Sequence, residues 1–154
     1  MPAVLANYKP VTAGRLRNPD DQDWLMIRRT YDGWGYSPLA DITVANVHRL
    51  RPAWVFSTGE PRVHQAAPLV NGGVMFVTSP NNQVIVIDVK SGNLLWRYRR
   101  PLEAGMSVPH QTNRGVALYG DRAFFAAGEA VLVALDARTG REVWTTVVAG
   151  FAVE

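Results

Sequence analysis

The chain has 154 residues, 47% hydrophobic and 19% charged, a balance that excludes intrinsic disorder and gives one ordinary domain enough apolar material for a core. Sixteen basic against thirteen acidic residues leave a formal charge of +3, too slight and too scattered to argue for a nucleic-acid partner; the one basic cluster, Arg97 to Arg100, closes a predicted strand and reads as a solvated strand end. There is no cysteine, which excludes disulfides, thiol chemistry and cysteine-based metal sites, and no apolar run is long enough to cross a bilayer.

In chain order, Met1 to Pro10 holds one short apolar run with no basic residues before it and no small-residue cleavage pattern, a poor secretory signal. The first forty residues are polar, aromatic-rich and punctuated by Pro and Gly. Ser37 to Leu50 is the best helix candidate, with Asp41 or Thr43 as cap and Val44, Val47 and Leu50 on one side. After Leu50 the language changes to short runs rich in Val and aromatics, bounded by Gly, Asn, Asp, Ser or Pro. Strands are predicted at PAWVFSTG, GVMFVTS, QVIVIDV, NLLWRYRR, GVALYGD, RAFFAAG, AVLVALDA and EVWTTVVA. They follow one another too closely for crossover helices, so the sheets should be antiparallel meanders. The expected organisation is an irregular segment with a short helix over 1–50, then about two repeat units and the start of a third over 51–154.

One sentence of the sequence is written twice. VIDVKSGNLLW (Val86 to Trp96) returns as ALDARTGREVW (Ala134 to Trp144), so Asp88, Gly92 and Trp96 recur 48 residues later as Asp136, Gly140 and Trp144. A period of this length, holding about four short strands, points to propeller blades. Asp, a polar pair and Gly make a tight reversal: the carboxylate accepts from turn amides and Gly takes a positive φ. The Trp four residues on can cover an adjacent blade. Two similar hairpins in a β-sandwich are the plainer alternative.

Three stretches carry a resemblance to the PQQ-dependent alcohol dehydrogenases, the quinoprotein methanol and ethanol dehydrogenase family. Asp23 to Trp54 resembles the family's amino-terminal signature, with Arg28 where the family usually has Gly and Thr43 where it usually has Asn. His64 to Ser79 resembles its first full blade, and Thr112 to Ala127 leads into the second copy of the repeat. The resemblance implies an all-β fold, the first antiparallel four-stranded blades of an eight-bladed quinoprotein-type propeller, incomplete in this chain. It implies PQQ with calcium or a lanthanide ion, oxidation of an alcohol to an aldehyde or ketone, an electron acceptor such as a cytochrome c, and a periplasmic location.

Residue by residue, the resemblance places four positions at the cofactor. Arg114 matches the family arginine that reaches PQQ, where a fixed guanidinium suits quinone and carboxylate oxygens. Gln65 stands where the family commonly has a cofactor-contacting glutamate; its amide still offers a hydrogen bond but removes a charge. Val108 and Pro109 replace the adjacent cysteines whose ring covers the cofactor, leaving an apolar lid. Asn113 would shape the loop that aims Arg114. The family's cation ligands and catalytic aspartate belong to later blades, so no residue here is assigned as catalytic or as a metal ligand. His48, His64 and His110 lack the spacing of a zinc or copper site. The expected partners are an alcohol substrate, the electron acceptor and the remaining blades, with no nucleic acid and no membrane span. By itself the chain should be inert, and prone to associate through a bare blade face. Two other readings stay open: a propeller segment that has become a binding or scaffold module, and a small β-domain that binds through Trp34 and Tyr36.

Overall fold

The computed structural model describes residues 1–102, 106, 108 and 112–150. Two four-stranded antiparallel sheets form the body. The first runs β1 (Leu69–Asn71), β2 (Val74–Ser79), β3 (Gln83–Asp88) and β4 (Leu94–Arg99), in that spatial order. The second repeats it with β5 (Ala117–Tyr119), β6 (Arg122–Ala126), β7 (Val131–Asp136) and β8 (Glu142–Val147). The registers match across copies: Val86 faces Trp96 as Ala134 faces Trp144, and each pair is followed by the same one-residue irregularity.

The chemistry of the repeat explains the shared shape. Asp88 Oδ1 accepts from the amides of Lys90 and Ser91 at 2.8 and 3.0 Å, and Asp136 Oδ1 does the same for Arg138 and Thr139 at 3.1 and 2.9 Å. Each turn then closes through a glycine in the left-handed region, Gly92 at φ 73° and Gly140 at φ 70°. The alternating inward residues of both sheets, among them Phe76, Val84, Val86, Phe125, Val133 and Leu135, fill one continuous core. The sheets are therefore neighbouring wedges that share their apolar faces, as in a propeller.

The tryptophans stitch the wedges together. Trp96 packs edge-on against Phe76 of its own blade, then reaches into the next: its indole lies over Gly140 and its Nε1 donates to Ala137 O at 3.1 Å. Trp54 repeats the arrangement one step earlier, over Gly92 with Nε1 donating to Val89 O at 2.8 Å. Trp144 packs tilted on Phe124, the counterpart of Phe76, but among the described residues no glycine turn lies under it, and it is 42% exposed where Trp96 is 8% exposed.

Two sequence expectations are corrected. Ser37 to Leu50 holds a single 3-10 turn, Val47–Arg49, and not an α-helix. Asn46 is the reason: its side chain accepts from Thr43 N and donates to Asp41 O, tying the segment into a local knot. No apolar face rewards a helix there, since Val44 is 95% exposed. The stretch Pro52 to Gly59 pairs with no strand among the described residues, although Trp54 sits as the Trp of an outer strand would.

Two short helices that the periodicity does not announce, α1 (Ala3–Ala6) and α2 (Ala13–Arg17), lie near β1 and β5, the inner strands of the two blades, through Arg15–Asn71 and Val11–Gly120. Leu5, Tyr8, Val11 and Leu25 enter the shared core. Val11 pairs with Gly120 of the second blade and Trp24 with Val70 of the first, so the segment spans both. Arg15 locks it down, with Nη2 at 2.7 Å from Asp23 Oδ2 and 2.9 Å from Asn71 Oδ1. Asp23 Oδ1 in turn accepts from Gly72 N at 2.8 Å.

Candidate functional site

The approach to each inner strand lies at the end of the blades opposite the Trp–Gly contacts, and the two approaches run side by side. Ala67 N, just before β1, donates to Arg114 O, just before β5, at 3.3 Å. This places Gln65 and Arg114 on one cavity of about 380 Å3, lined also by Thr112 and Asn113. The two sequence-predicted polar residues, 49 positions apart (114 − 65), thus share one wall.

Asn113 builds the turn that presents Arg114. Its Nδ2 donates to Ala126 O at 2.7 Å and its Oδ1 accepts from Gly115 N at 2.9 Å, so one amide side chain brackets the arginine. Gly115 is needed at φ 133°, and a Cβ there would stand 3.4 Å from Ala67 O. The Arg114 guanidinium is exposed and, among the described residues, has neither a carboxylate partner nor a hydrogen bond. An unneutralised guanidinium beside a neutral amide is a donor set for an anion with several oxygens. A polyanionic quinone fits that chemistry.

Val108 does not line this cavity. It packs instead on the β6–β7 turn, where a Cβ on Gly128 would be 3.2 Å from Val108 Cγ1. Pro109 and His110 lie outside the described residues. His64 Nε2 is 2.9 Å from Thr58 Oγ1, and His48 sits exposed in the 3-10 turn. Among the described residues no three ligand-type side chains gather into a metal site. A second cavity, about 490 Å3, adjoins the first through Asn113 and Arg114; its walls are apolar, from Leu16, Leu25 and Ile27 to Leu69 and Leu118. No sequence signal announces it, since its two sides come from segments that only the fold brings together.

Two like wedges, each with a short inner strand, and with Gln65 and Arg114 at the mouth they share, define consecutive blades of a β-propeller. The family model described as "PQQ: Glucose/ethanol/alcohol dehydrogenase, beta-propeller domain" matches residues 24–151, and the chain belongs to that family. It is 43% identical over 120 residues to quinoprotein alcohol dehydrogenase PedH of Pseudomonas putida, covering 76% of this chain and 20% of that protein. It is 37% identical over 146 residues to quinohemoprotein alcohol dehydrogenase ADH IIB of the same species, covering 93% of this chain and 21% of that protein. Among solved structures it superposes on quinohemoprotein alcohol dehydrogenase from Comamonas testosteroni with a TM-score of 0.79 at 33% identity, covering 94% of this chain and 22% of the other. It also superposes on a europium-containing methanol dehydrogenase with a TM-score of 0.78 at 35% identity, over 86% of this chain and 24% of the other. The chain thus spans about a fifth of the length of these relatives. No described helix is long and apolar enough to cross a membrane.

Proposed function

We propose that this chain forms the amino-terminal blades of a PQQ-dependent alcohol dehydrogenase that oxidises an alcohol to an aldehyde or ketone. The observation that carries the reading is the pairing of Arg114, free of any carboxylate among the described residues, with Gln65 on one cavity at the mouth of the inner strands. When bound, PQQ with its calcium or lanthanide ion supplies the two-electron acceptor. Arg114 holds the anionic oxygens of the cofactor, and Gln65 adds a neutral hydrogen bond where a carboxylate would repel them. The base that takes the hydroxyl proton and the cation ligands belong to blades this chain does not span, so 1–154 alone is inert. The electron acceptor is a carrier such as a cytochrome c, and the site of action is the periplasm.

A second reading, a propeller module without catalysis, is favoured by two features of the sequence: Gln65 in place of an acid and Val108–Pro109 in place of a cysteine pair. Dye reduction separates the two. The complete gene product carrying this sequence is incubated with PQQ and calcium or a lanthanide, then supplied with a primary alcohol. Reduction that depends on PQQ and on the cation is expected; a folded protein that takes up no PQQ and reduces no dye with any simple alcohol is the module.

A further inference from the structure

Glu129 is a buried acid outside the cavity of Gln65 and Arg114. Only 7% exposed, it sits in the β6–β7 turn of the second blade. Its Oε1 accepts from Arg100 Nε at 2.5 Å and its Oε2 from Asn82 Nδ2 at 2.6 Å. Both partners belong to the first blade. Asn82 lies in the β2–β3 turn and Arg100 just follows β4, where the chain leaves for the stretch that contains Val108. Asn82 also ties the pieces to each other, accepting Gly128 N on its Oδ1 at 2.9 Å and Arg100 N on its backbone oxygen at 3.0 Å. A buried carboxylate is tolerable only with such partners.

The turn held by this carboxylate, with the end of β6 that leads into it, is where the candidate site leans. Ala126 O receives Asn113 Nδ2, the bond that anchors the bracket around Arg114, and Gly128 is the seat of Val108. We propose that Glu129 is a positioning residue for the cofactor site: it fixes the β6–β7 turn against the first blade and so sets where Arg114 stands. The proposal rests on the cofactor reading given above only for what the site binds; the linkage from Glu129 to Arg114 is a property of this chain.

The test has two arms, both on the complete gene product. In the first, hydrogen exchange is followed at Gly128 and Gly115, whose amides the two asparagines hold, with Gly120 at the far end as control. Glu129→Gln should speed exchange at both Gly128 and Gly115 by about tenfold or more and leave Gly120 unchanged. The double variant Arg100→Met/Glu129→Met, which removes the paired charges together, should do the same. Faster exchange at Gly128 with Gly115 unmoved overturns the proposal, as does equal acceleration at all three, which marks a general loss of stability. In the second arm the double variant should bind PQQ about tenfold more weakly than wild type. Unchanged affinity also overturns the positioning role, whereas a wild-type protein that takes no PQQ overturns the cofactor reading and leaves the exchange arm to decide on Glu129.

Discussion

The indole of Trp96 lies so close over Gly140 that a methyl group on that glycine would stand 2.5 Å from Trp96 Cε3. The glycine is also at φ 70°, where any side chain is strained. Both facts predict one outcome. Gly140→Ala should cost about 3 kcal/mol or more of stability, from backbone strain and overpacking together. Gly92→Ala should behave alike, since its Cβ would meet Trp54 Cγ at 2.6 Å. Urea unfolding of the variants beside wild type measures the loss; an unchanged midpoint for either means that the stacking does not hold the blades.

Arg28 reads as a departure from a family glycine, and its backbone retains the glycine conformation at φ 58°. A non-glycine residue there carries strain of about 1 kcal/mol. Arg28→Gly should therefore stabilise the chain by up to that amount, less the weak Arg28 contact to Gly33 O at 3.4 Å. A rise of a few degrees in thermal midpoint is expected, and a fall contradicts the assignment of strain.

The clamp of the amino-terminal segment depends on a buried ion pair. Asp23 is 2% exposed and receives both Arg15 and Gly72 N. Arg15→Ala leaves that carboxylate buried without its cation and should cost about 3–5 kcal/mol. The loss should be read first as proteolytic release of residues before Trp24, followed by limited digestion and mass spectrometry. A segment that stays protected in the variant contradicts the clamp.

The seam between blades carries a titration. Tyr98 donates to Glu142 at 2.8 Å, and burial, then the hydrogen bond and charge of Glu142, push its hydroxyl up to about 12. The unfolded group titrates near 10, so the unfolded chain loses its proton first. Tyr98 therefore contributes its full share of stability below pH 10 and loses it as pH rises from about 10 to about 12. Tyr8, raised by burial, acts in the same direction. Tyr98→Phe should flatten the decline in unfolding midpoint over that range; an equal slope in both proteins assigns the decline elsewhere.

Much of the fold was legible because a blade is local. The Asp–Gly turns, the alternating strands and the 48-residue period all lie within short windows, and seven of the eight predicted strand runs correspond to strands β2 to β8. The eighth, Pro52 to Gly59, has strand composition but no partner among the described residues, and pairing is what composition does not contain. The helices α1 and α2 are four and five residues long, below a useful helical period. Trp96 and Gly140 stand in different copies of the repeat, so their contact was hidden while each residue was plain. At the site, Arg114 and Gln65 were visible as residues, and their shared cavity became visible only through the Ala67–Arg114 hydrogen bond. The web of Glu129, Asn82 and Arg100 gave no signal, because its members come from three turns and strand ends far apart in sequence.

The most direct measurement of the central account is the dissociation constant of PQQ for the complete gene product, with Arg114 intact and as Arg114→Ala, by titration calorimetry with calcium or a lanthanide present. Loss of a charge-assisted contact to an anionic ligand should weaken binding at least tenfold. Equal affinity in the two proteins contradicts the assignment of Arg114 to the cofactor, and with it the reading of these blades as one wall of a quinone site.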